Sequence, residues 1–443
     1  MTRRDAPAAA EENAGHWALG PQMEEVANEE NLRRAFQRVR SNRGAPGPDG
    51  LTVEDLAANL DVEIPRLRDE LLTGRYRPGP VRGVEIPKPT GGTRQLGIPN
   101  VLDRMIQQAI AQQLSRHVDP TFSHASFGFR PGKSTLMAIE AALEHLNAGY
   151  DEVVNIDLRK FFDTVHHDVL MERLARKIGD KRILKLIGRF LRAGLMLGGM
   201  TSPRSAGVPQ GGPLSPLLSN VLLDELDKEL EERGHRFVRY ADDFLIFKRT
   251  ERAAWRTKEA VTRFLERRLR LQVNEEKSGV QPPEELIYLG YSFARTRTGI
   301  RPIVPPKAEK RLRDRLRPEL TRYGRGRPLT RTIAKVNLIL RGWLNYYRLA
   351  CGGQELVRTD KWVRRHLRCL LLRQWGKLWR TRARRLMEGG ISSRVAWGFA
   401  RSQKGPWRLS ASPQMARILS NANIADLGLF SLVSGHREIR QRG

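Results

Sequence analysis

The chain is poor in cysteine, in long apolar runs and, over its last third, in acidic residues. Cys351 and Cys369 are its only cysteines. Two thiols cannot build a disulfide framework, and no CxxC pair is present to hold a structural zinc. With His366 they lack paired-ligand spacing, so packing accounts for them. Sparse cysteine fits a reducing compartment. No run of 18 apolar residues occurs, which excludes a membrane-spanning helix. The N-terminal Met1–Asp5 segment lacks an apolar core, and Glu11 and Glu12 argue against an organelle transit peptide. Residues 1–20 read as a loose tail.

What the chain has in excess is basic charge. Lys and Arg number 78 against 49 Asp and Glu, a net charge of +29. Residues 301–443 hold 33 basic and 8 acidic side chains, while residues 1–300 hold 45 and 41. An excess this one-sided points to a polyanionic partner, most simply nucleic acid. The front two-thirds reads as an enzyme body and the last third as a grip. With 443 residues and 40 % hydrophobic content, two or three domains with sizeable cores are expected.

Residues 22–40 read as one helix with Met23, Val26, Leu32, Ala35, Phe36 and Val39 on its apolar face. A loop follows over Gly44–Gly50, then a helix over Leu51–Leu72. Residues 84–99 read as two short strands around Gly91-Gly92, a hairpin with Lys88 and Arg94 on opposite arms. Asp103–Val118 is strongly periodic and helical. Val153–Leu158 reads as a buried strand carrying one acid, Asp157. A buried strand tolerates a lone carboxylate only if it is paired, metal-bound or hydrogen-bonded to nearby backbone. Residues 207–220 form a Gly/Pro-rich loop opening a helix that runs to about Glu232. Such a loop lets backbone approach a ligand closely, and also suits an ordinary turn.

The stretch Arg236–Phe247 places Asp242 and Asp243 side by side between two apolar runs that read as strands. Adjacent carboxylates repel unless a cation lies near, and a rigid turn carrying them is a seat for a hard divalent metal. A solvated Asp-Asp turn fits the same four residues, Tyr240–Asp243. Asp157 is the natural third ligand. Arg130–Thr135 ends like a phosphate-binding loop, but Phe127 stands where its first glycine belongs, so that reading is rejected. Beyond Pro305 the chain reads as basic helices. Val336, Ile339, Leu340, Trp343, Leu344 and Tyr347 form a core stripe. Trp362, Trp375, Trp379, Trp397 and Trp407 are interleaved with Arg, which suits base stacking as well as packing.

In this order the motifs resemble those of group II intron reverse transcriptases, which double as intron-encoded maturases. The resemblance runs from about residue 22 to about residue 433. It rests on the Gly44–Gly50 loop, Ile86–Lys88, Ser126–Gly132, the Asp157 strand, Gln210–Pro216, Tyr240–Asp243, Lys277, Tyr288–Tyr291, Arg341–Tyr347 and Trp407–Leu432. It implies an α+β right-hand polymerase. Residues 21–300 would be fingers and palm with an antiparallel palm sheet, and 301–390 a helical thumb or maturase domain. Residues 391–443 would be a short basic DNA-binding region.

The resemblance also implies an RNA-directed DNA polymerase with two Mg²⁺ ions, for which Mn²⁺ substitutes, held by Asp157, Asp242, Asp243 and the Leu158 carbonyl. One ion would activate the primer 3′-hydroxyl and the other would stabilise the pyrophosphate leaving group. Lys88 and Arg94 would clamp the triphosphate. Phe162 would act as the gate against a ribose 2′-hydroxyl, Gln210 would contact nucleotide or template, and Lys277 would stand near the site. The implied partners are intron RNA, an RNA template with DNA primer, deoxynucleotides and target DNA, with no membrane. The implied setting is the bacterial cytoplasm, at the nucleoid when on DNA, and the implied roles are splicing and retrohoming. Phe127 stands where many relatives carry Tyr. The tail is too short and cysteine-poor for the paired-cysteine endonuclease of larger relatives, so insertion would need a primer made elsewhere. A decayed RNA-binding maturase, a reverse transcriptase freed from its intron, and an RNA-dependent RNA polymerase are the competing readings. The acid trio opposes the first and Phe162 the last.

Overall fold

A computed structural model of the chain describes residues 20–87, 93–197, 200–202, 206–321, 328–350, 353–376 and 378–442. It divides into two compact units, Met1–Pro282 and Pro283–Gly443.

The first unit begins with helices where the apolar periodicity puts them, but the first two expected helices are each broken once. Asn28 Oδ1 accepts from the backbone N–H groups of Glu30 and Asn31, so Met23–Val26 ends and Glu29–Ser41 starts afresh. The 51–72 segment divides at Asn59 into Val53–Ala58 and Leu60–Leu72. Helix Val101–Val118 runs through the core and buries Met105, Ile106, Ala109, Ile110 and Leu114. Burying each larger side chain stabilises by roughly 1.5–3 kcal/mol.

Strands β1 (Val81–Pro87) and β2 (Thr93–Ile98) form the expected antiparallel hairpin, with Ile86 opposite Arg94. Lys88, Gly91 and Gly92 lie outside the described residues. Strand β3 is Glu152–Ile156; β4 (Leu195–Leu197) runs parallel to β1 and carries β5 (Met200–Ser202) at its edge. The sheet that positions the acids contains β3, β6 (Arg236–Tyr240), β7 (Asp243–Lys248) and β8 (Gly279–Gln281). Its order is β6-β7-β3-β8, antiparallel throughout. Phe244, Leu245, Ile246 and Phe247 are all buried, so β7 is covered on both faces. Helices Thr135–Asn147, Ser215–Glu232 and Glu251–Arg268 pack against this sheet.

Arg130–Thr135 is structural, as its rejected phosphate-loop register implied. Arg130 pairs with Asp119 (2.8 Å), and Ser134 caps the helix that follows by accepting from Met137 N–H.

In the second unit, β9 (Ile287–Tyr288), β10 (Tyr291–Thr296) and β11 (Gly299–Ile303) form a three-stranded sheet. The turn between β9 and β10 holds Leu289 and Gly290 at positive φ, and Tyr346 Oη donates to the Leu289 carbonyl (2.6 Å). Helices Pro306–Thr321, Leu329–Tyr346 and Gln354–Gln374 follow. Val336, Leu340, Leu344 and Tyr347 are buried, while Arg341, Asn345 and Arg348 are exposed. Asp360 reaches across to Leu432–Arg442 and accepts from Leu432 N–H (3.0 Å) and Ser431 Oγ–H (2.7 Å), capping that helix from a distance. Cys369 is a buried free thiol, and Cys351 lies outside the described residues.

Candidate active site

Strand pairing brings the three acids together. Ile156 lies opposite Phe244 in the β3–β7 ladder, so Asp157 leaves β3 beside Asp243. Tyr240 pairs with Asp243, which closes a two-residue turn of Ala241 and Asp242. Ala241 takes φ +58°, uncommon for a residue with a Cβ. Burial first, then Asp242 and Asp157, pushes the Asp243 carboxyl up to about 6. Asp242 is raised as well, by burial and by Asp157.

Asp157 is anchored by residues whose role the sequence did not suggest. Its N–H donates to Ser278 Oγ (2.9 Å), its carbonyl accepts from Asn274 N–H (2.8 Å), and Asn274 Nδ2 donates to its Oδ2 (3.0 Å). Lys277 Nζ lies 3.9 Å from the same oxygen. Leu158 is buried opposite Val273, but the backbone bonds of that bridge come from Asp157 and Arg159, which leaves the Leu158 carbonyl out of the ladder.

Three carboxylates gathered at the ends of two adjacent strands, with Asp242 and Asp243 raised by burial and by the neighbouring acids, are chemically suited to a divalent cation, whose charge removes the repulsion and whose preference is for oxygen. Among the described residues, no group of three His, Cys, Asp or Glu side chains is already arranged to hold an ion. The Asp157 carboxylate meets Asn274 and Lys277 through one oxygen, Oδ2.

Phe162 and Gln210 line one cleft of about 480 Å³ together with Leu96, Arg104, Phe129 and Gly211. Phe162 packs edge-on against buried Phe161, ring centroids 5.2 Å apart, and its carbonyl accepts from Val208 N–H. Gln210 offers its carbonyl to Gly97 N–H (2.7 Å), which ties the loop to β2. Gly211, at φ +126°, sits where a Cβ would fall 2.4 Å from the Gly97 carbonyl, so this crossing requires glycine. Arg94 lies on β2 in the adjacent hairpin; Lys88 lies outside the described residues. Sequence reasoning missed Arg104, which is buried in this cleft, donates to the Ala45 carbonyl (2.8 Å) and has an unpartnered Nε. On an otherwise periodic helix it reads as a solvent-facing base.

Comparison with known proteins places these features in a family. The profile of "Reverse transcriptase (RNA-dependent DNA polymerase)" matches residues 86–293, and that of "Group II intron, maturase-specific domain" matches residues 309–388. Protein YkfC of Escherichia coli K12 is 35 % identical over 314 residues, 62 % of this chain and 82 % of its own length. Group II intron-encoded protein LtrA of Lactococcus lactis is 28 % identical over 332 residues, 60 % of this chain and 55 % of its own. The putative COX1/OXI3 intron 1 protein of Saccharomyces cerevisiae is 34 % identical over 208 residues, 47 % of this chain and 25 % of its own. Reverse transcriptases use divalent metal ions and act on RNA and DNA, and no helix among the described residues is long and apolar enough to cross a membrane. An acid-bearing turn beside a third carboxylate, a reverse transcriptase domain and a following maturase domain show that this chain belongs to the group II intron reverse transcriptase/maturase family, the RNA-directed DNA polymerases that carry a maturase domain.

Proposed function

We propose that the chain copies RNA into DNA with two Mg²⁺ ions bound by Asp157, Asp242, Asp243 and the Leu158 carbonyl, and that its basic last third binds the intron RNA whose splicing and retrohoming it assists. The observation that carries this reading is the convergence of Asp157, Asp242 and Asp243 where β3 and β7 pair, with the Asp243 carboxyl raised by burial and then by Asp242 and Asp157. When bound, the ions would supply Lewis-acid activation of the primer 3′-hydroxyl and charge neutralisation on the leaving pyrophosphate.

The chain's own residues do the positioning. Asn274 and Lys277 orient Asp157 through its Oδ2 oxygen. Phe162 closes the cleft on the side of the sugar 2′-carbon and so favours deoxynucleotides. Gln210 stands beside it against the base or template. Arg94, with Lys88, clamps the triphosphate. In this reading residues 21–300 form fingers and palm, 301–390 the thumb or maturase domain, and 391–443 a region that contacts target DNA. The protein works in the cytoplasm and on the nucleoid.

Primer extension on an RNA template tests the reading. Deoxynucleotide incorporation should require Mg²⁺ and fall by about 10³-fold or more in Asp242→Ala, the scale of several kcal/mol of lost transition-state stabilisation. Undiminished synthesis in that variant rejects the assignment.

A further inference from the structure

The catalytic turn is tied to the interior by a buried ion pair whose position is not needed for burial alone. Arg239, on β6, and Asp227, on helix Ser215–Glu232, are each 0 % exposed. Arg239 Nε donates to Asp227 Oδ1 (2.7 Å) and one terminal nitrogen donates to Oδ2 (2.5 Å). The other terminal nitrogen donates both to Asn220 Oδ1 (2.9 Å) and to the Ala241 carbonyl (2.9 Å). Asn220 Nδ2 continues the chain of bonds to the Gly128 carbonyl (2.8 Å). Gly128 lies directly against the turn: a Cβ there would fall 2.3 Å from Ala241 N. The same segment pairs with β6, since Arg239 N–H donates to Ala125 and Phe127 N–H donates to Arg239.

An ion pair taken out of water adds little to stability, and apolar side chains of similar volume commonly do as well or better. What the guanidinium does that a methyl group cannot is hold a carbonyl. The carbonyl it holds belongs to Ala241, the residue at φ +58° that aims Asp242. The planar fork fixes four acceptor atoms on three residues at once, a geometry a lysine cannot reproduce. We propose that Arg239 is a positioning residue for the metal-binding turn, with Asp227 and Asn220 orienting its guanidinium and Gly128 backing the turn. This inference rests on the reading of Asp157, Asp242 and Asp243 as metal ligands.

The test measures Mn²⁺ binding to the full-length protein by electron paramagnetic resonance, beside thermal melting and primer extension, in Arg239→Lys and in the double variant Arg239→Met with Asp227→Leu. The double variant is expected to melt within about 5 °C of wild type while Mn²⁺ affinity and turnover each fall by roughly 10- to 100-fold, the usual effect of losing a residue that orients metal ligands. Arg239→Lys, which keeps the charge opposite Asp227, is expected to lose affinity as well. Native Mn²⁺ affinity in a folded variant overturns the positioning role, and a double variant that fails to fold overturns its separation from stability. Wild-type protein that takes up no Mn²⁺ overturns the metal reading itself, so the two failures are distinguishable.

Discussion

Charge is nearly balanced over the first two-thirds of this chain and strongly one-signed over its last third, although both regions hold Arg ion pairs and Arg–aromatic contacts. Over residues 1–300 basic and acidic groups nearly cancel, and several of the Arg side chains are locked in ion pairs that fix backbone geometry: Arg239 to Asp227, Arg130 to Asp119 and Arg173 to Glu225. Over residues 301–443 acids are scarce, and Arg side chains lie over aromatic rings. Arg365 stands 4.1 Å from the Trp407 ring centre, Arg341 4.3 Å from Phe430 and Arg401 5.7 Å from Trp397. A paired guanidinium shapes a site; an exposed one on an aromatic shelf, as at Arg341 and Arg401, is open to phosphate and base. The difference in charge balance is what the proposed division, chemistry in the first region and RNA binding in the second, rests on.

The comparison can be broken by salt. RNA affinity should fall on the order of 10²–10³-fold from about 50 to about 200 mM salt, through the basic region, and each neutralised phosphate-contacting Arg there should lower the log–log slope by about one. Equal slope losses from Arg substitutions in residues 1–300 would erase the distinction. It is sharpened by Phe162→Ala, which should raise ribonucleotide incorporation by roughly 10- to 100-fold, the range in which a shaped pocket rejects an added hydroxyl, with RNA affinity unchanged. Unchanged sugar selection in steady-state kinetics moves the gate elsewhere.

The smallest effect concerns pH. Burial first, then Arg317, Arg373 and Arg365, depresses the His366 imidazole to about 4 between Trp362 and Trp407. A depressed folded-state value means the folded form resists protonation. This contribution is therefore intact above about 6.5, the ordinary value, and is lost as pH falls from there toward 4. The second unit's melting temperature should drop across that window, and His366→Phe should flatten the drop; an identical pH profile in the variant removes His366 as its source.

Much of this was legible in the residues. The β6–β7 turn showed as two apolar runs around paired acids, and Asp157 as a lone carboxylate in a buried strand. The helix breaks at Asn28 and Asn59 were hidden because periodicity continues across them, and a capping side chain outcompetes the next helical bond only once the chain has turned. Arg239 was hidden for another reason. A base within a strand reads as solvent-facing, and its partner Asp227 lies on a helix where an acid is unremarkable. Asn274 and Ser278 meet Asp157 from more than a hundred positions away, a contact no local pattern encodes.

The division of labour between the two ends is tested most directly by Asp157→Ala, with RNA affinity and cDNA synthesis measured on the same preparation. RNA affinity should stay within about twofold of wild type, because Asp157 lies outside the basic region and its loss leaves phosphate contacts there intact, while synthesis is abolished. Synthesis that persists, or RNA binding that collapses with it, would contradict the account.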